Sequence, residues 1–147
     1  MDTNWIFFVI KIYLLPLKVL VLRRNTMNRV CFITHKGKRV LLQDCSGMNP
    51  GPEYKKVLKE ANKKMASEPP KSVLSLFDAT NCSFSNASLA DTRDFVNSNT
   101  PFIKNNAVVG IDGLLQMALT SIAKDTGREF HIFQTREEAL EYLVGVE

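Results

Sequence analysis

The chain has 147 residues, of which 45% are hydrophobic and 23% charged, enough for one ordinary globular domain with a real core and too few for two. Its formal charge of +4 is uneven: residues before Met27 carry a net +3 and the rest a net +1, so the domain lacks the basic surplus of a nucleic-acid binder and no nucleic-acid partner is expected. The three cysteines, Cys31, Cys45 and Cys82, are odd in number and form no CxxC pair. A disulfide framework and a Cys-rich zinc site are therefore unsupported, and a cytoplasmic setting is expected.

Residues 1–26 stand apart. Trp5 to Leu22 is an apolar run broken by Lys11, Pro16 and Lys18 and followed by Arg23 and Arg24. Two internal lysines and a proline are poor features for a membrane span. Three readings compete: a start assigned too early with Met27 as the true first residue, a single membrane anchor, or an interfacial helix. The first is favoured, because a full domain pattern begins directly after Met27; an anchor would associate the domain with a membrane, Arg23 and Arg24 holding it on the cytoplasmic side.

Residues 27–147 read as one α/β domain. Arg29 to Thr34 alternates like a strand, and His35-Lys36-Gly37-Lys38 turns it into a second, antiparallel strand over Arg39 to Gln43. Ser46 to Pro52 is a loop. Glu53 to Ala66 is the clearest helix, with Tyr54, Val57, Leu58, Ala61 and Met65 on one face and five lysines opposite. That basic face reads first as a solvated surface. Pro69-Pro70 stops the helix, and the continuous apolar run Ser72 to Phe77 predicts a buried central strand.

Asn86 to Asn99 is a second helix, with Leu89, Phe95 and Val96 inward. Ile103 to Ile111 is another buried strand, after which Asp112 caps a helix striped by Leu115, Ala118, Leu119 and Ile122 and closed by Gly127. Glu129 to Phe133 is a short strand, and Thr135 with Glu138 makes a capping box for a last helix. The order is ββαβαβαβα. It predicts a mixed, mostly parallel five-stranded sheet with helices on its faces and an antiparallel edge strand.

In such sheets ligands gather beyond the carboxyl ends of the strands. That edge collects Asp44 and Ser46, then Asp78 and Thr80, then Gly110, Asp112 and Gly113, which are the candidate ligand-binding positions. Asp44 and Asp78 offer a carboxylate pair for acid–base work or magnesium, and Gly110 to Gly113 offers backbone N–H groups to an anion. Neither is a specific motif, since aspartates at strand ends commonly serve turns and caps. His35 and His131 lie far apart in the chain, and no histidine is placed beside Cys45 or Cys82. No catalytic set, cofactor or metal is expected.

Three blocks carry a resemblance. They are Pro69 to Asp78, Ala107 to Leu114, and Gly127 through Phe133 to Leu143. With the strand order, they resemble the STAS-like family of anti-sigma-factor antagonists (SpoIIAA-like domains), over roughly Met27 to the C-terminus. The resemblance implies a non-enzymatic regulatory module that binds a protein partner through the turn after the third strand. It also implies a switch by phosphorylation of a serine or threonine there, for which Thr80, Ser83 and Ser85 are the candidates beside Asp78. The usual Asp-Ser-Ser-Gly type of run is replaced by Asn81-Cys82-Ser83-Phe84-Ser85-Asn86. The alternative is a small-ligand or lipid carrier, associated with a membrane through residues 1–26.

Overall fold

A computed structural model describes residues 28–146 of the chain, so the apolar segment 1–26 lies outside the described residues. Strands β1 (Val30–His35) and β2 (Lys38–Asp44) form the expected antiparallel hairpin. Its two turn residues, Lys36 and Gly37, both have positive φ, 47° and 79°. That geometry matches the twist of the flanking strands, which is why a glycine stands at the second position.

From β2 onward the sheet is parallel, with β3 (Val73–Asp78), β4 (Ile103–Val109) and β5 (His131–Phe133) added in chain order. Helix α1 (Pro52–Met65) joins β2 to β3, α2 (Asn86–Asn99) joins β3 to β4, and α3 (Gly113–Thr126) joins β4 to β5. Because the sheet grows in one direction, right-handed crossovers place all three helices on the same face. Helix α4 (Arg136–Gly145) follows the last strand and crosses to the other face.

Two cores result. Under α1–α3 lie Leu41, Phe77 and Val108 from the sheet against Tyr54, Phe95 and Leu119 from the helices. Under α4 lie Val40, Leu42, Leu76 and Val109 against Ala139 and Leu143. The α1 stripe is the predicted one: Tyr54, Val57, Leu58, Ala61 and Met65 are all buried.

Three details differ from the sequence reading. Helix α2 buries Ser88, Thr92 and Asn99 beside Phe95 and Val96, and Thr92 is held by a 2.6 Å hydrogen bond with the Tyr54 hydroxyl. Strand β5 starts at His131 rather than Glu129, because the Asn106 side-chain amide takes the Glu129 carbonyl at 2.6 Å. Strand β4 carries a register shift: Val73 pairs with Ile103 but Leu74 with Asn105. The extra residue, Lys104, is turned out to solvent. The bulge therefore puts both Ile103 and Asn106 on the α1–α3 side.

Candidate functional site

Strands β2 and β3 end in register, Asp44 beside Asp78. Equal strand direction and register bring two carboxylates to one edge, and the side chain of Asp78 is only 5% exposed. Two such charges repel unless something lies between them. Arg136, the first residue of α4, does so. Its Nη2 is 3.0 Å from Asp44 Oδ2, and its Nε donates to Asp78 Oδ2. The pair read from sequence as available for acid–base work or magnesium is thus already bound to a guanidinium of the chain itself.

The remaining carboxylate oxygens are used as well. Asp44 Oδ1 accepts the Ser46 N–H at 3.0 Å and its hydroxyl at 2.5 Å. Asp78 Oδ1 accepts the Thr80 N–H at 2.9 Å. Burial pushes the Asp44 carboxyl up, but the bonds from Ser46 and the charge of Arg136 outweigh it and hold its pKa below the ordinary value. Burial likewise weakens the Arg136 cation, and the two carboxylates more than restore it.

The thiols are inert by the same logic. Burial raises Cys45 far above a normal thiol and raises Cys82 to about 11. Neither is a thiolate at neutral pH, so neither is poised as a nucleophile.

Backbone hydrogen bonds extend the parallel ladder past the strand ends. Cys45 N–H donates to the Asp78 carbonyl at 2.9 Å, Gly47 N–H to Thr80 at 2.8 Å, and Ala79 N–H to Val109 at 2.8 Å. Gly110 has φ of 72°, and a Cβ there would come within 2.7 Å of the Thr80 Cα. Only glycine lets these two turns touch. Its N–H donates to the Phe133 carbonyl at 3.3 Å, so it is not free for an anion.

Asp44, Ser46, Asp78, Thr80 and Gly110 thus form one contiguous, hydrogen-bonded edge. Asp112 and Gly113 stand beside it. Asp112 caps α3 by accepting the Leu115 N–H at 3.0 Å, and Gly113 is exposed.

The serines divide. Ser85 is the N-cap of α2: its hydroxyl accepts the Ser88 N–H at 3.1 Å, and the Ser88 hydroxyl accepts the Ser85 N–H at 2.8 Å. A serine at the third helical position thus closes a capping box that usually needs Glu or Gln. Ser83 is exposed, and its backbone is anchored: its N–H donates to the Met48 carbonyl at 2.9 Å and its carbonyl accepts from Cys82 Sγ at 3.8 Å. The first turn of α2 holds no acidic residue.

Two parts of this edge were missed in the sequence. Arg136 is one; its signal is a cation at a helix start, where the helix dipole disfavours it unless it has another partner. The other is an apolar patch on the first turns of α3, where Leu114 is 54% and Met117 74% exposed. Met117 lies three residues after Leu114, so both share one outward face.

No protein-family model matches the chain, and no curated protein matches it. Among solved structures, it is similar to an uncharacterised protein of the DUF3478 family with a SpoIIAA-like fold from Shewanella loihica PV-4. The two align with a TM-score of 0.61 and 17% identity, over 78% of this chain and 91% of that one. The chain therefore has the SpoIIAA-like fold that the three sequence blocks resemble. Among the described residues, no helix is long and apolar enough to cross a membrane.

Proposed function

We propose that the chain is a regulatory module that docks a protein partner on the carboxyl edge of its sheet, between the Asp78–Asn86 turn and the start of α3. The observation that carries this reading is the exposed pair Leu114 and Met117 beside an edge whose polar groups are already satisfied. An edge built for acid–base chemistry would leave a reactive group free. An edge built for docking needs a rigid frame and exposed apolar anchors.

Ser83 is the regulatory residue of this reading. Its exposed hydroxyl is open to a kinase, while the Ser85 hydroxyl is committed to the helix cap. A phosphate at Ser83 brings a charge of about −1.5 to −2 to the start of α2. The first turn of that helix carries no acidic side chain of its own, so its dipole favours an anion. In this reading the new charge weakens a partner's contact with the apolar anchors.

The test is a comparison of partner binding by wild type, Ser83→Ala and Ser83→Asp, with phosphopeptide mapping of the protein from its own cells. Loss of binding in Ser83→Asp, retention in Ser83→Ala and a phosphate mapped to Ser83 are expected. Equal binding by all three with no modification in the Asp78–Asn86 turn removes the switch.

A further inference from the structure

We propose that the outward face of α1 rests on an anionic membrane surface, its lysines meeting the phospholipid headgroups. Helix α1 carries Lys55, Lys56, Lys59, Lys63 and Lys64 against Glu53 and Glu60, a net +3. The other helices do not share this charge: by the same count α2 carries a net −1, α3 is neutral and α4 carries a net −2. Among the helices, positive charge is therefore confined to one face of one element, which orients the domain in an external field.

Four of the lysines, Lys55, Lys56, Lys59 and Lys63, are exposed. At the helical turn of about 100° per residue they fall within an arc of about 100°, opposite the buried stripe of Tyr54, Val57, Leu58, Ala61 and Met65. From Lys55 to Lys63 they extend ~12 Å along the helix. Lys56, Lys59, Lys63 and Lys64 are in no ion pair among the described residues, and Lys55 only approaches Asp91, at 3.8 Å. Asp94, across the groove between α1 and α2, pairs with none of them.

The spacing separates this face from an ordinary solvated one. Solvated helix faces gain stability by placing opposite charges four residues apart. Here Lys55, Lys59 and Lys63 stand four apart from one another, so like charges are neighbours along the whole face and weaken the helix that carries them. An external anionic surface turns that repulsion into attraction.

The preceding chain points to lipid rather than to another anion. Arg29 shares the walls of one pocket with Pro52 and Glu53, so the chain ahead of β1 joins the domain beside the first turn of α1. That chain contains the apolar run Trp5 to Leu22 and then Arg23 and Arg24. An apolar segment and a polybasic face next to each other are the two signals that stable attachment to a membrane surface needs. Nucleic acid and acidic proteins have use for the lysines alone.

The test is co-sedimentation of the full chain at physiological salt with phosphatidylcholine vesicles, with and without phosphatidylserine. Binding is expected to rise with phosphatidylserine and to fall as salt is added. Lys59→Glu removes two units of charge in effect and is expected to weaken that binding roughly 25-fold, about fivefold per charge. The same variant places a glutamate four residues before Lys63 and raises the melting temperature slightly, so the loss of binding is not a loss of fold. Lys104→Gln with Lys124→Gln, on other elements, leaves binding unchanged. Equal binding of wild type and Lys59→Glu to phosphatidylserine vesicles overturns the proposal, whether the apolar segment binds alone or nothing binds. Displacement of the protein from the vesicles by duplex DNA or poly-glutamate at equal charge overturns it in favour of a soluble polyanion.

Discussion

The two edges of the sheet solve the same electrostatic problem in opposite ways. At the carboxyl edge, two aspartates meet in register and the chain supplies its own cation, Arg136, with Ser46 and Thr80 taking the other oxygens. At the amino edge, Lys71, Lys104 and Arg128 gather with one exposed carboxylate, Glu129, which faces His131 at 3.9 Å, and Arg128 Nε and Asn106 Oδ1 are buried without a hydrogen-bond partner among the described residues. The first edge is finished as folded, and what it presents outward is shape and the apolar pair Leu114 and Met117. The second keeps a surplus of positive charge. A rigid, satisfied surface suits docking.

The comparison breaks most sharply at Arg136. Arg136→Gln leaves Asp44 and Asp78 facing each other, with Asp78 almost fully buried. We expect a loss of ~3 kcal/mol in urea unfolding, the low end for a broken buried pair because Arg136 is one-third exposed. Adding Asp78→Asn to that variant recovers part of the loss. A change within experimental error would mean that the triad does not hold the edge.

Gly110→Ala is the next largest, at ~2 kcal/mol. It forces a side chain into a left-handed backbone position and against Thr80. Ser85→Ala removes the α2 cap and costs ~1 kcal/mol. Ser83→Ala, two residues earlier, leaves the melting temperature unchanged. That contrast separates the structural serine from the one proposed as a switch.

Acid sharpens the comparison further. The folded Asp44 pKa is held below its ordinary value, so its contribution is complete above about pH 4 and is lost as pH falls through the folded pKa. Asp44→Asn therefore flattens the stability curve below about pH 4. Lys104→Gln at the other edge leaves that part of the curve as it was.

The smallest expected effect is the most diagnostic. Asn106→Leu exchanges an unsatisfied carbonyl, and one hydrogen bond to Glu129, for apolar packing under α2. Stability stays within ~1 kcal/mol of the wild type. A much larger loss in urea unfolding would mean that the Asn106 bond to the Glu129 carbonyl holds the start of β5.

How far each edge was legible in the sequence follows from what made it. The parallel order and the α1 stripe were readable, because Val57, Leu58, Ala61 and Met65 alternate with lysines at helical spacing. That Asp44 and Asp78 share one edge was readable too, since both follow strands of a sheet predicted to be mostly parallel. Arg136 was not, because it reaches Asp78 across 58 residues from a helix that changes face. Asn106 was hidden by the bulge at Lys104, which breaks the period-two pattern that assigns strand residues to faces. Helix α2 showed only part of its buried face, since Ser88, Thr92 and Asn99 are buried by hydrogen bonding rather than by apolarity.

The central claim is that the carboxyl edge is the docking surface. The most direct test is affinity capture from native cells with three baits: wild type, Leu114→Ser with Met117→Ser, and Lys104→Gln, each read for stoichiometric companions. The account predicts one companion protein, retained by Lys104→Gln and lost by the double variant while its fold stays intact. A companion kept by the double variant, or no companion to any bait, would contradict it.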